Sequence, residues 1–130
     1  RLTKKKPKNT YLKLIEGSSI DNKIIDKVKS IIKGKKVFVI LDSNHTHDHV
    51  LKELREYSKF VKKGQYLICG DTIIAKQPQS KKRPREWNKN NNPMTALKVF
   101  LRKDKKFVID KKIESKLLFT NMPNGFLKRI

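Results

Sequence analysis

The stretch Val37-Phe38-Val39-Ile40-Leu41-Asp42, continuing as Ser43-Asn44-His45-Thr46-His47-Asp48-His49, sets five apolar residues in succession against a sudden carboxylate. An unbroken apolar run of that length predicts a strand buried on both faces, as in a parallel sheet covered by helices on each side. Upstream, Ile24, Ile25, Val28, Ile31 and Ile32 recur at helical spacing and stop at Gly34. They predict an amphipathic helix over residues 22–33, capped by Ser19 or Asp21. Before it, Tyr11-Leu12-Lys13-Leu14-Ile15-Glu16 reads as a short strand broken by Gly17-Ser18-Ser19. Downstream, Val50, Leu51, Leu54, Tyr57, Phe60 and Val61 mark a second helix over residues 46–62, closed by Gly64 before the strand Tyr66-Leu67-Ile68-Cys69. Strand, helix, strand, helix, strand at this spacing calls for right-handed crossovers, so the expected fold class is α/β with a doubly wound sheet.

After Asp71 and Thr72 the pattern dissolves. Residues 75–93 hold three prolines, Asn90-Asn91-Asn92 and the lone Trp87, a long loop of the kind that serves as a lid or binding loop. Pro93 opens a third helix through Lys103, packed by Leu97, Phe100 and Leu101. Two strands are expected next, Phe107-Val108-Ile109 and Leu117-Leu118-Phe119, then a Pro123-Asn124-Gly125 turn leading into Phe126-Leu127.

The chain of 130 residues carries 33 Lys and Arg against 12 Asp and Glu, a net charge of +21. That excludes an acidic scaffold, while 36% hydrophobic content supplies one domain's core and argues against disorder throughout. No apolar run approaches the ~20 residues of a membrane span, and no apolar stretch follows the basic start at Arg1 to Lys8, so a soluble, cytoplasmic protein is expected. The charge is unevenly placed: residues 11–72 hold twelve cations against eight anions. The densest clusters, Lys4-Lys5-Lys6-Pro7-Lys8 in the basic segment 1–10 and Lys81-Lys82-Arg83-Pro84-Arg85, lie where no periodicity exists. Abundant Lys, Asn and Ile with only two Ala fits a coding bias as well as a polyanion-binding role. A nucleic-acid binder therefore stands as a second reading, marked by steep salt dependence. Cys69, the single cysteine, reads as a buried thiol rather than a nucleophile.

In an open α/β sheet ligands bind beyond the carboxyl ends of the strands, where this chain places Glu16, Asp42 and Asp71. Asp42 and Asp71 converging on one point suit a hard cation such as Mg²⁺; the bland alternative is that each caps the element that follows. All three histidines fall at His45, His47 and His49. His45 and His49, four apart on one helix face with Asp42 nearby, suggest a transition-metal site and a third reading, a metal-dependent hydrolase. The plainer view makes Thr46 or Asn44 a cap and leaves His47 in solvent. His45 has the strongest case for chemistry, three residues beyond Asp42 and able to titrate near neutrality.

The run Glu16-Gly17-Ser18-Ser19-Ile20-Asp21, the run from Val39 through Leu54 and Gly64-Gln65-Tyr66-Leu67-Ile68 through Asp71-Thr72 resemble the cephalosporin hydroxylase / rhamnosyl O-methyltransferase family. Leu118-Phe119-Thr120-Asn121 through Arg129 fits that family's C-terminus, extending the resemblance from Tyr11 to the chain end. It implies a class I, Rossmann-like S-adenosylmethionine-dependent methyltransferase domain over residues 11–130. Methyl transfer would go to a hydroxyl of a sugar or other small acceptor; a homo-oligomer is left open and a nucleic-acid partner is not expected. By that resemblance Asp42 and Asp71 are metal ligands, His45 is the catalytic base, and Glu16, Gly17, Ser18 and Ser19 lie at the cofactor. Residues 73–92 would form an acceptor lid in which Trp87 stacks on a ring and Arg83 and Arg85 meet a carboxylate or phosphate. Two departures stand out. Gly70 occupies a position where the family often has an acidic or bulky residue, and the glycine-rich turn after the family's first strand and the acid after its second have no counterpart. The expectation is an incomplete domain, from the third strand onward.

Overall fold

The computed structural model describes residues 12–79 and 82–130. Of the two candidate caps for the first helix, Asp21 serves. Its Oδ1 accepts the Lys23 N–H at 2.8 Å, and α1 runs Asn22–Ile32. There follow β1 (Val39–Leu41), α2 (His47–Tyr57) with a 3-10 turn at Ser58–Phe60, β2 (Tyr66–Cys69) and a second 3-10 turn at Thr72–Lys76. The remainder is α3 (Pro93–Lys103), β3 (Phe107–Ile109), α4 (Lys111–Glu114) and β4 (Phe126–Arg129).

The fold is α/β, with four strands in the order β1-β2-β4-β3. β1 and β2 are parallel, with Leu41 opposite Cys69, but β4 runs antiparallel to both β2 and β3, so the described sheet is mixed. The reversal is made at Pro123-Asn124-Gly125, where Asn124 takes φ 62° and the Gly125 carbonyl accepts the Cys69 N–H at 2.9 Å. Val39, Leu41, Leu67, Cys69 and Leu127 meet Val50, Leu51 and Leu54 of α2 and Met94, Ala96, Leu97 and Phe100 of α3 in one core. Leu54, Leu67, Leu97 and Leu127 are fully enclosed, each contributing roughly 1.5–3 kcal/mol of burial.

Several elements differ from the sequence expectation. β1 is three residues long, lies at the edge of the described sheet and is covered on one face only: Leu41 is buried, whereas Phe38 is 58% and Ile40 56% exposed. Residues 12–16 form no strand, having no sheet partner among the described residues, and Leu12 and Leu14 are exposed. Tyr11 and the basic segment 1–10 lie outside the described residues, as does Lys81. Leu117-Leu118-Phe119 is not a strand either: the Leu117 N–H is spent on the Glu114 carbonyl in a turn after α4, and β4 takes the position between β2 and β3. The second helix stops at Tyr57, tightens through its 3-10 turn and becomes extended at Val61.

The loop before α3 is tied at its end. Asn88 and Asn91 exchange backbone hydrogen bonds of 2.9 and 3.1 Å, and Asn92, fully buried, forms a capping box with Thr95 at the start of α3. Asn92 Nδ2 also donates to the Asn88 and Lys89 carbonyls, both at 2.8 Å, which locks the turn to the helix.

Candidate functional site

The parallel pairing of β1 and β2 ends in register at Leu41 and Cys69, so Asp42 and the Gly70-Asp71 pair emerge side by side. Gly70 closes the gap by donating its N–H to the Leu41 carbonyl at 2.8 Å. A Cβ on Gly70 would lie 2.8 Å from that same carbonyl oxygen and 3.1 Å from Asp42 Oδ1, so the approach needs glycine. Asp71 then adopts the left-handed conformation, φ 48° and ψ 30°, which Asp tolerates better than most residues. Its Oδ1 accepts from Asn121 Nδ2 at 2.8 Å, while Oδ2 lies 2.8 Å from His45 Nε2. Asp42 Oδ1 is 3.6 Å from the same nitrogen.

One ligand atom from each of Asp42, His45 and Asp71 therefore falls within 4.8 Å of the others. His45 Nε2 is buried and has no hydrogen-bond partner of acceptable geometry, although Asp71 is only 2.8 Å away. The two groups are thus in close contact without a hydrogen bond between them. The two carboxylates converging here are hard oxygen donors that a divalent cation would satisfy, with the imidazole nitrogen beside them.

Trp87 packs on His45 with ring centroids 4.8 Å apart and planes inclined by 54°. The Arg85 guanidinium lies 5.1 Å from the Trp87 ring centre, a cation–π stack that orders the loop over the site. Asp71, Arg83, Arg85, Trp87 and Asn121 line a cavity of about 450 Å³ beside this group. Asn121 is a residue whose role the sequence reading did not single out, though it lies in the C-terminal run that carried the resemblance.

The histidines do not converge. His45 precedes α2 rather than sharing a helix face with His49, and each ring has its own partners. His47 Nδ1 is 2.8 Å from Thr95 Oγ1, so this ring is part-buried against α3 rather than free in solvent. His49 Nε2 lies 3.0 Å from Ser19 Oγ and 3.2 Å from Ser43 Oγ. Ser43 in turn donates to Glu53 Oε1 at 2.7 Å, and Glu53 is only 2% exposed. The start of α2 is organised by Asn44, whose Oδ1 accepts the Thr46 N–H and hydroxyl at 2.8 and 2.7 Å, and by Asn91, which accepts the His47 N–H at 2.7 Å.

Of the four residues expected at a cofactor, Ser19 joins this second cluster, whereas Glu16, Gly17 and Ser18 stay exposed on the turn before α1. Gly17, at φ 141°, is packed so that a Cβ would meet the Ile24 side chain at 2.6 Å. Cys69 is buried, and desolvation reinforced by the Glu53 charge pushes its thiol up to about 12, which removes it as a nucleophile. Burial, followed by the same Glu53 charge, raises Tyr57, whose hydroxyl donates to the Ser19 carbonyl at 2.9 Å.

Among the described residues no helix is long and apolar enough to cross a membrane. The family model of rhamnosyl O-methyltransferase/CmcI matches residues 1–130. The rhamnosyl O-methyltransferases of Mycobacterium tuberculosis (strain ATCC 25618 / H37Rv) and Mycobacterium bovis (strain BCG / Pasteur 1173P2) are 31% identical over 119 residues, covering 88% of this chain and 46% of theirs. The chain thus spans about half the length of these relatives. No solved structure matches it. Matched along its whole length, the chain belongs to the rhamnosyl O-methyltransferase/CmcI family.

Proposed function

We propose that this chain carries the metal-binding and acceptor-binding side of an S-adenosylmethionine-dependent O-methyltransferase with a class I, Rossmann-like domain. The observation behind this is the meeting of Asp42, His45 and Asp71 at the ends of two parallel strands, beside a cavity lined by Trp87. Asp42 and Asp71 would hold a divalent cation, for which Mg²⁺ suits the carboxylate oxygens; when bound, it would supply positive charge that acidifies an acceptor hydroxyl. Glu16, Gly17, Ser18 and Ser19 would lie at the cofactor, which would supply a methyl group on sulfonium.

The chain's own residues do three things. His45 Nε2 takes the hydroxyl proton, and the Asp71 carboxylate at 2.8 Å stabilises the imidazolium that results. Trp87 offers a flat face to a sugar ring, and Arg83 and Arg85 fix polar or anionic groups of the acceptor. The cavity of about 450 Å³ suits a small acceptor, and the rhamnosyl methyltransferases among its relatives make a deoxyhexose hydroxyl the first acceptor to try.

Calorimetric titration tests this directly. Mg²⁺ binds the native chain and is lost in Asp42→Asn and in Asp71→Asn, while His45→Gln retains the ion and loses transfer to a rhamnoside in the protein that contains this chain. Ion binding unaffected by both aspartate changes sinks the assignment.

A further inference from the structure

Between α4 and β4 the chain carries Lys116-Leu117-Leu118-Phe119-Thr120 around a turn. Leu118 is fully exposed, Phe119 is 79% exposed and Leu117 44%. A single exposed leucine needs no explanation, but three consecutive apolar side chains at a loop tip do. Both ends of the tip are fastened: the Leu117 N–H bonds the Glu114 carbonyl at 3.1 Å, the Ile73 N–H bonds the Asn121 carbonyl at 3.1 Å, and the Met122 N–H bonds Thr120 Oγ1 at 3.0 Å. The exposed side chains therefore stand on an ordered base.

Lysines flank the tip. Lys111, Lys112 and Lys116 are all exposed, and of these Lys111 alone reaches a carboxylate among the described residues, that of Glu114. We propose that the 116–120 loop is an interfacial anchor, in which Leu118 and Phe119 enter the headgroup boundary of an anionic lipid bilayer while Lys112 and Lys116 meet its phosphate groups. Apolar side chains at the apex with ammonium groups behind them match the polarity profile of such a boundary. A protein partner instead calls for a broad patch, on the order of 800 Å² a side, which a narrow apex does not offer. Nucleic acid would use the lysines but leave Leu118 and Phe119 without an apolar contact. The net charge of +21 draws the molecule toward an anionic surface before contact.

The anchor sits beside the candidate site. Ile73 lines both the hollow of about 470 Å³ under the loop and the cavity next to Asp71 and Trp87. Docking would bring that cavity close to the lipid surface; the anchoring does not depend on the methyl-transfer reading.

The test is flotation of the full chain with vesicles. It should float with phosphatidylcholine–phosphatidylglycerol vesicles and stay behind with pure phosphatidylcholine. Leu118→Ser/Phe119→Ser and, separately, Lys112→Glu/Lys116→Glu should each weaken partitioning at least about tenfold without altering circular dichroism. In a Trp87→Phe background, Leu118→Trp should shift its emission to the blue on adding the anionic vesicles. Absence of flotation overturns the proposal. So does flotation unaffected by Leu118→Ser/Phe119→Ser, which would mean adsorption through charge alone. A sedimenting dimer lost in that same variant would assign the tip to a second copy instead. Vesicle binding that persists when Asp42→Asn has removed Mg²⁺ separates the anchor from the transfer reading.

Discussion

Asp71 combines two demands at one position, a left-handed backbone and a carboxylate aimed at His45. Asn tolerates that backbone at least as well as Asp, whereas Ala does not. Asp71→Asn should therefore leave stability within about 0.5 kcal/mol of the native chain, while Asp71→Ala costs roughly 1–2 kcal/mol more. Both should lose divalent-cation binding. Urea unfolding beside calorimetry checks this, and equal stability of the two variants would show that the backbone is not what holds Asp there. At Gly70 the constraint is steric, because a Cβ would press on the Leu41 carbonyl at 2.8 Å, a backbone atom that cannot rotate away. Gly70→Ala should cost about 1–3 kcal/mol as the ends of β1 and β2 separate. The position where the family resemblance looked for an acidic side chain is thus closed to one in this packing. Cys69 supplies a chemical test of the core. Its neutral thiol is favoured in the fold up to about pH 12, so its contribution is complete below the ordinary thiol value of 9.0 and is lost as pH rises beyond it. A disulfide reagent at pH 8 should label the native chain only at the rate of opening, and at once in urea.

The elements with a strong internal period were legible in the sequence, and those defined by partners were not. α1 and α3 fall where Ile24 to Ile32 and Pro93 to Lys103 placed them, and β2 and β3 coincide with their apolar runs. Leu117-Leu118-Phe119 is as apolar as β3, yet among the described residues no strand lies beside it, and pairing is a tertiary fact that composition does not carry. The loop before α3 was legible as a loop, but its Asn88, Asn91 and Asn92 bonds join residues to carbonyls that only the folded turn presents. Asn92→Ala removes a helix cap and two tethers to the turn below Trp87. It should cost about 2 kcal/mol and loosen Trp87 from His45, read as a urea midpoint shift and a change in Trp emission. At α4 the cap is Asp110, whose carboxyl is held below the usual range first by the Tyr66 hydroxyl at 2.6 Å and then by the Lys112 and Ile113 N–H groups. A lowered folded value means its contribution is present above the ordinary carboxylate value of 3.8 and is lost as pH falls through the folded one. Tyr66→Phe should therefore bring the onset of acid unfolding to higher pH, and an unmoved acid limb would remove Asp110 from the account.

At the scale of the whole molecule, the strand-end logic of open α/β sheets brought Asp42 and Asp71 together, with His45 beside them, because the end of a parallel pair is fixed by the strands themselves; it failed at Glu16, whose segment forms no strand. The second cluster, Ser19, Ser43, His49 and Glu53, escaped that logic since it draws on the turn before α1 and the inner face of α2, which approach only in the fold. The charge sets a different problem. The +21 is an excess of cations over all carboxylates, which no ion pair can cancel, and among the described residues Lys59 and Lys111 are the lysines that reach a carboxylate, so the compact state repels itself. Unfolding separates those charges, and salt screens them over about 10 Å at 0.1 M. Raising sodium chloride from low to moderate concentration should move the urea midpoint upward with the slope unchanged. Lys112→Glu/Lys116→Glu should reduce that salt response, because it lowers the net charge at exposed positions that hold no part of the core. A midpoint that falls with salt would mean that attractive pairs, rather than the uniform excess, dominate the electrostatics of this fold.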